Sequence, residues 1–138
     1  MKSTILDSQL CFALYAASRT AQNAYRPLLD ELGLTYPQWV VLLALWGQDE
    51  QLVRELGEKL QQDSGTLSPL LKRMETAELV ARERQATDAR QVIVKLTEKG
   101  KRLESKVPEV QACLLDTSPL TEEEFETLRS LARKLAHL

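Results

Sequence analysis

Apolar positions follow two rhythms along the 138 residues, and the change of rhythm lays out the chain. From Asp7 to Leu32, the residues Leu10, Leu14, Ala17, Ala21, Ala24 and Leu28 fall three or four apart, the stripe of one long amphipathic helix. Asp7 or Ser8 can cap its start and Gly33 its end, while Pro27 inside the pattern predicts a kink or a break near residues 23–27. Thr35 followed by Pro37 reads as an N-cap and an early helical proline, opening a second helix to about Trp46 that is apolar enough to be buried. After GQDEQ comes a short helix, Val53 to Leu60, and then Asp63 as the cap of another from Ser64 to about Ala77. Two short helices joined by a tight turn suggest a helix-turn-helix. Pro69 lies late for a helix start, so its ring presses on the Gly65 carbonyl and a distorted first turn is expected.

The rhythm then shortens to two. Leu79 to Arg84 and Gln91 to Leu96 alternate apolar and polar positions around QATDAR, which reads as a hairpin with a flexible tip. Helical spacing returns after Thr97, a cap for a helix running through Leu103 towards Leu115 with an interruption near Pro108. Thr121 and Glu124 form a capping box for a last helix to His137. The expected fold class is mainly α with a small β-hairpin, in one domain.

Composition narrows the functions. Average apolar and charged content argues against disorder, and the longest apolar stretch, Trp39 to Trp46, is far too short for a bilayer. The opening MKSTILDSQL has no apolar leader or small-residue cleavage site, so a cytoplasmic location and no membrane partner are expected. Eighteen Lys and Arg against twenty Asp and Glu give −2 overall, which argues against general nucleic-acid coating. The distribution says more: Arg54 to Arg102 holds eleven basic and eight acidic side chains, +3, and the remainder is −5. Two cysteines stand 102 positions apart, a spacing that fits no zinc motif, and no cofactor is expected.

A helix entering the major groove meets base edges with its N-terminal residues and phosphates with the cations beyond. The run DSGTLSPLLKRME has that order: Ser64, Thr66 and Ser68 can face bases or phosphates, Lys72 and Arg73 can neutralise phosphates, and Leu67, Leu70, Leu71 and Met74 face the core. On composition alone, Ser and Thr at a helix start more often serve as caps. The hairpin adds Arg82, Arg84 and Arg90 around a polar tip, suited to the negative potential of a narrow minor groove, with Asp88 placed to orient Arg90.

The order helix, helix, turn, helix, hairpin, helix, helix, with DAR at the hairpin tip, resembles the MarR family of winged helix-turn-helix repressors over nearly the whole chain. The resemblance implies one winged-helix domain over residues 1–138, with residues 53–96 as the DNA-binding lobe and residues 1–34 and 97–138 as dimerisation helices. It also implies an obligate homodimer that sets two recognition helices about 34 Å apart on near-palindromic double-stranded operator DNA. Leu128, Leu131, Leu135 and Leu138, with Leu6 and Leu10, are the apolar faces assigned to that interface; the alternative is that they are intrachain core.

Cys11 lies in the first turns of the opening helix, at the positive end of its macrodipole, where a peroxide-reactive thiolate is favoured. Read by itself it is more readily a small buried hydrophobe, as free cysteines commonly are. The runs LCFALYAASR, YRPLLDELGLTYPQWVVLLALW and DSGTLSPLLKRME resemble the organic-hydroperoxide-sensing branch of the family. That resemblance implies that Cys11 is oxidised to a sulfenic acid amid Tyr15, Tyr25 and Tyr36, and that operator DNA is then released. Tyr25 lies about 21 Å along one straight helix from Cys11, so it reaches Cys11 only across a dimer interface. One-cysteine members go on to mixed disulfides with small thiols, and two-cysteine members close an intersubunit disulfide, for which Cys113 is the partner here. The alternatives are a MarR-type repressor answering another oxidant or a small phenolic ligand, and, outside regulation, a thiol peroxidase. No second acid-base group accompanies Cys11, and a winged hairpin has no use in a peroxidase, so an enzyme is not expected.

Overall fold

The computed structural model describes residues 5–138. A 3-10 turn, Leu6–Ser8, precedes α1 (Leu10–Glu31), α2 (Tyr36–Gly47), β1 (Gln51–Leu52), α3 (Val53–Leu60), α4 (Ser64–Thr76), β2 (Val80–Arg84), β3 (Val92–Leu96), α5 (Glu98–Arg102), a second 3-10 turn (Leu103–Lys106), α6 (Val107–Leu115) and α7 (Glu122–Leu135). The fold is a mainly helical winged helix with a three-stranded antiparallel sheet in the order β1-β3-β2.

α1 corrects two expectations. It starts after Gln9, which offers no side-chain cap, so neither Asp7 nor Ser8 is the cap. It also runs unbroken through Pro27. Asn23, whose carbonyl loses its partner to the proline, lies with Pro27 on the exposed face, where water can satisfy it. The helix ends as the sequence predicts: Gly33 takes φ +73°, and the N–H groups of Gly33 and Leu34 donate to the carbonyls of Asp30 (3.0 Å) and Leu29 (2.9 Å), a Schellman closure.

Thr35 and Gln38 close a capping box at α2, whose Trp39, Val41, Leu42 and Leu45 are buried at the centre of the core. Leu56 of α3, Leu67, Leu71 and Met74 of α4, Val80 of β2 and Val94 of β3 pack around them. α4 continues through Pro69 from its Asp63 cap. The two-residue strand β1 was not foreseen; it pairs Gln51 with Val94 and Leu52 with Ile93, and so holds the hairpin against the start of α3. Gln51 is buried, its amide donating to the carbonyls of Ala44 (3.1 Å) and Gln48. Behind the sheet, the Trp46 indole donates to the Gly100 carbonyl at 2.9 Å. A Cβ on Gly100 would lie 2.2 Å from the Leu79 carbonyl oxygen, so only glycine allows this approach. The interruption expected near Pro108 is the 3-10 turn just before it, and Pro108 opens α6, which packs along α1. Among the described residues, no helix is long and apolar enough to cross a membrane.

Candidate nucleic-acid interface and cysteine site

A groove of about 1130 Å³ lies between the α3–α4 turn and the hairpin. It gathers Ser64, Ser68, Arg82, Arg84, Asp88 and Arg90 from the sequence-predicted set, and adds Arg54, Gln61 and Gln62. Those three were missed because a lone Arg at the start of a short helix and two glutamines in a turn carry no pattern; only their place beside α4 marks them. Thr66, Lys72 and Arg73 are exposed on α4 outside this concavity. The helix is capped by the Asp63 carboxylate, which accepts from the Thr66 N–H at 2.8 Å, so the hydroxyls of Ser64, Thr66 and Ser68 are not needed as its cap. Leu67, Leu71 and Met74 are buried and Leu70 is half-buried, which turns the polar side of α4 outwards.

Each wing cation has a different setting. Arg90 is 91% exposed at the tip, with Nε donating to Asp88 Oδ1 at 3.2 Å and the main-chain N–H donating to the same oxygen at 3.0 Å. These bonds hold the Asp88 carboxyl below its ordinary pKa. Arg84 donates across the tip to the Ala89 carbonyl at 2.7 Å. Arg82 is turned back towards α4, where its guanidinium meets Glu75 at 3.2 Å.

Cys11 is the second residue of α1, exposed on the single chain, with Leu10, Phe12 and Tyr15 exposed beside it. Tyr15 carries the Arg19 guanidinium 5.5 Å over its ring. Tyr25 and Tyr36 stack at 5.9 Å with an interplanar angle of 3°. Burial first, then Tyr36 and the nearby Cys113, raise the Tyr25 hydroxyl above its ordinary pKa, and burial raises Tyr36, so both are phenol donors at neutral pH. Cys113 is half-buried on α6, its thiol against the Glu109 carbonyl at 3.4 Å. Within one chain, therefore, the tyrosine pair is grouped with Cys113, and Cys11 with Tyr15 stands at the far end of α1. The exposed Leu6, Leu10, Leu128, Leu131, Leu135 and Leu138 are not intrachain core.

Residues 23–107 match the family described as Transcriptional regulator SarA/Rot. The Organic hydroperoxide resistance transcriptional regulator of Bacillus subtilis is 45% identical over 125 residues, 91% of this chain and 85% of that protein. The chain belongs to the MarR-type winged-helix transcriptional regulators. Among solved structures, the regulator resembles reduced AbfR bound to DNA, with TM-score 0.81 and 35% identity over 96% of this chain and 90% of that one. It also resembles disulfide-formed AbfR, with TM-score 0.71 and 38% identity over 96% and 90%; AbfR is a protein of Staphylococcus epidermidis. The regulator is a DNA-binding protein of transcription, and the relatives it matches are regulators, not enzymes.

Proposed function

We propose that the regulator is a homodimeric repressor that releases near-palindromic operator DNA when an organic hydroperoxide oxidises Cys11. The observation that carries the reading is Cys11 itself, a free thiol at the N-terminal turn of α1, set among exposed apolar residues and remote in sequence from the groove. In the dimer, α1 and α7 of two copies cover each other's leucines, residues 1–34 and 97–138 form the dimerisation helices, and residues 53–96 present the DNA-binding lobe. A gap of about 560 Å³ lined by Tyr25, Leu115, Leu120 and Phe125 separates α7 from α1 and α6, and it supports a partner helix seated there. That seating brings the partner's first turn towards Tyr25 and Tyr36.

On the DNA, Ser64, Thr66 and Ser68 of α4 meet the major groove, Lys72 and Arg73 the phosphates, and the wing carries Arg84 and Arg90, oriented by Asp88, to the minor groove. The Cys11 sulfur attacks a peroxide oxygen, the O–O bond breaks, an alcohol leaves and a sulfenic acid forms. The partner's Cys113 sulfur then attacks the Cys11 sulfur and expels water, closing an intersubunit disulfide that needs the two Cα atoms about 5.5 Å apart. Helices holding the two α4 copies in register move to meet that distance, and one half-site is lost.

The test is operator binding by the reduced dimer, on DNA selected from a random pool, titrated with cumene hydroperoxide and with hydrogen peroxide. Release at the lower concentration of the organic peroxide is expected. Binding that ignores both oxidants but is lifted by a phenolic ligand would replace this reading with that of a ligand-gated repressor.

A further inference from the structure

We propose that Glu75 is a positioning residue for DNA binding: its carboxylate latches the wing to the recognition helix through Arg82, and Arg82 serves that latch and not a phosphate. Glu75 stands in the last turn of α4, with one oxygen accepting from the Arg82 main-chain N–H at 3.1 Å and the other from its guanidinium at 3.2 Å. The two bonds have separate physical reasons. β2 is an outer strand of the β1-β3-β2 sheet, so donors on its free side face no strand, and Glu75 covers one of them. The guanidinium bond neutralises a side chain only 28% exposed, against 91% for Arg90 at the tip. Arg84 and Arg90 follow on the same hairpin and line the groove with Ser64 and Ser68, so a bond at the hairpin base sets the angle between the two DNA-reading elements.

A wing freed from α4 must be ordered again each time DNA binds. Its loss therefore weakens binding without changing how many phosphates are neutralised, whereas losing a phosphate contact lowers the salt dependence itself. The inference rests on the groove being the DNA face and is independent of the cysteine chemistry.

The experiment compares Glu75→Gln, Arg82→Gln, the double variant and Arg90→Ala with wild type. Affinity for the selected operator is measured over a range of salt concentrations, and hydrogen exchange of the hairpin amides is measured in the free protein. Both single variants are expected to bind about tenfold more weakly, the loss of one charge-assisted bond. Their salt slope stays at the wild-type value, and the double variant is no weaker than either single. Arg90→Ala lowers the slope by about one. The main-chain amide at position 82 and the hairpin exchange faster in both single variants, while core amides of α2 keep wild-type protection, which shows the variants are folded. Wild-type exchange in the hairpin overturns the latch whatever happens on DNA. Tighter binding by Glu75→Gln, with a slope reduced by about one in Arg82→Gln, makes Arg82 a phosphate contact restrained by Glu75 and overturns it too. A normal exchange phenotype of the latch with no operator binding by wild type would instead sink the groove assignment.

Discussion

α2, α3 and α4 bury their apolar faces within the chain, and α7 buries none of its residues. Leu42, Leu45, Leu56, Leu71, Met74 and Val94 have no solvent exposure, while Leu128, Leu131 and Leu135 remain 45–59% exposed. The two regions are also specified differently. α7 carries every local device of helix stability: a Thr121–Glu124 capping box, Glu122, Glu123 and Glu124 in its first turn, Arg133 and Lys134 in its last. α2 has a capping box but no acidic first turn or basic last turn, and is apolar nearly all round. A helix with no intrachain core to bury keeps its shape by capping and charge; a helix inside the core is held by what surrounds it.

The comparison breaks most directly at α7. Leu128→Asp with Leu131→Asp should leave the lobe folded and destroy the dimer, so that operator affinity falls about 10²–10⁴-fold as two linked half-sites become one. Sedimentation and DNA binding check this together; a dimer that survives the change would place the interface elsewhere. The reverse test lies in the core, where Leu42→Ala should cost about 2–5 kcal/mol of folding stability from lost burial and the cavity left behind. Leu131→Ala, measured in chains diluted to monomer, should change stability far less, since its side chain has no intrachain core to leave. Equal losses in denaturant would mean that α7 packs within its own chain after all.

The cysteines test whether the open region is also the switch. Cys11→Ser should bind operator as wild type does and lose the whole peroxide response, because the side chain lies away from the groove. Cys113→Ser should still respond to peroxide but form no covalent dimer on non-reducing electrophoresis, stopping at sulfenic acid or overoxidising. Oxidation of wild type to a monomeric species with Cys113 still alkylatable would make this a one-cysteine sensor.

Legibility in the sequence follows the same division. Local signals are read well: α3 at Val53–Leu60, the caps at Thr35, Asp63, Thr97 and Thr121, and the turn at Gly33 all stand where the pattern puts them. β1 was invisible because two residues hold no alternation, and Gln51–Leu52 becomes a strand only through β3. Pro27 was misjudged because its cost depends on whether the Asn23 carbonyl faces water, a tertiary matter. In the groove, exposed cations were found by charge clustering. Arg54, Gln61 and Gln62 were missed because only their place beside α4 marks them, and Glu75 because its bond to Arg82, seven positions on, crosses from helix to strand.

The smallest effects belong at the wing tip, where exposure leaves little to lose. Arg90→Ala should lower the salt slope by about one, the release of one counterion fewer, and weaken binding on specific and random DNA alike. Asp88→Asn is the finer test, because two effects oppose. Its carboxylate holds Arg90 through the side chain and main chain, which favours the wing. The same negative charge stands near the phosphates and disfavours it. Losing both should leave affinity within about threefold of wild type, with the salt slope kept, since no cation is removed. The pH dependence has a definite sign. The bonds from Arg90 depress the folded carboxyl, so its contribution is complete above the ordinary Asp value and is lost only as pH falls through the lowered one. Operator binding between about pH 7.5 and 5, above the ordinary Asp value near 3.9, should therefore show no step that Asp88→Asn removes. A step in that range, present in wild type and absent in the variant, would mean that the Asp88–Arg90 pair is broken in the DNA complex and that Arg90 leaves its carboxylate for the phosphate backbone.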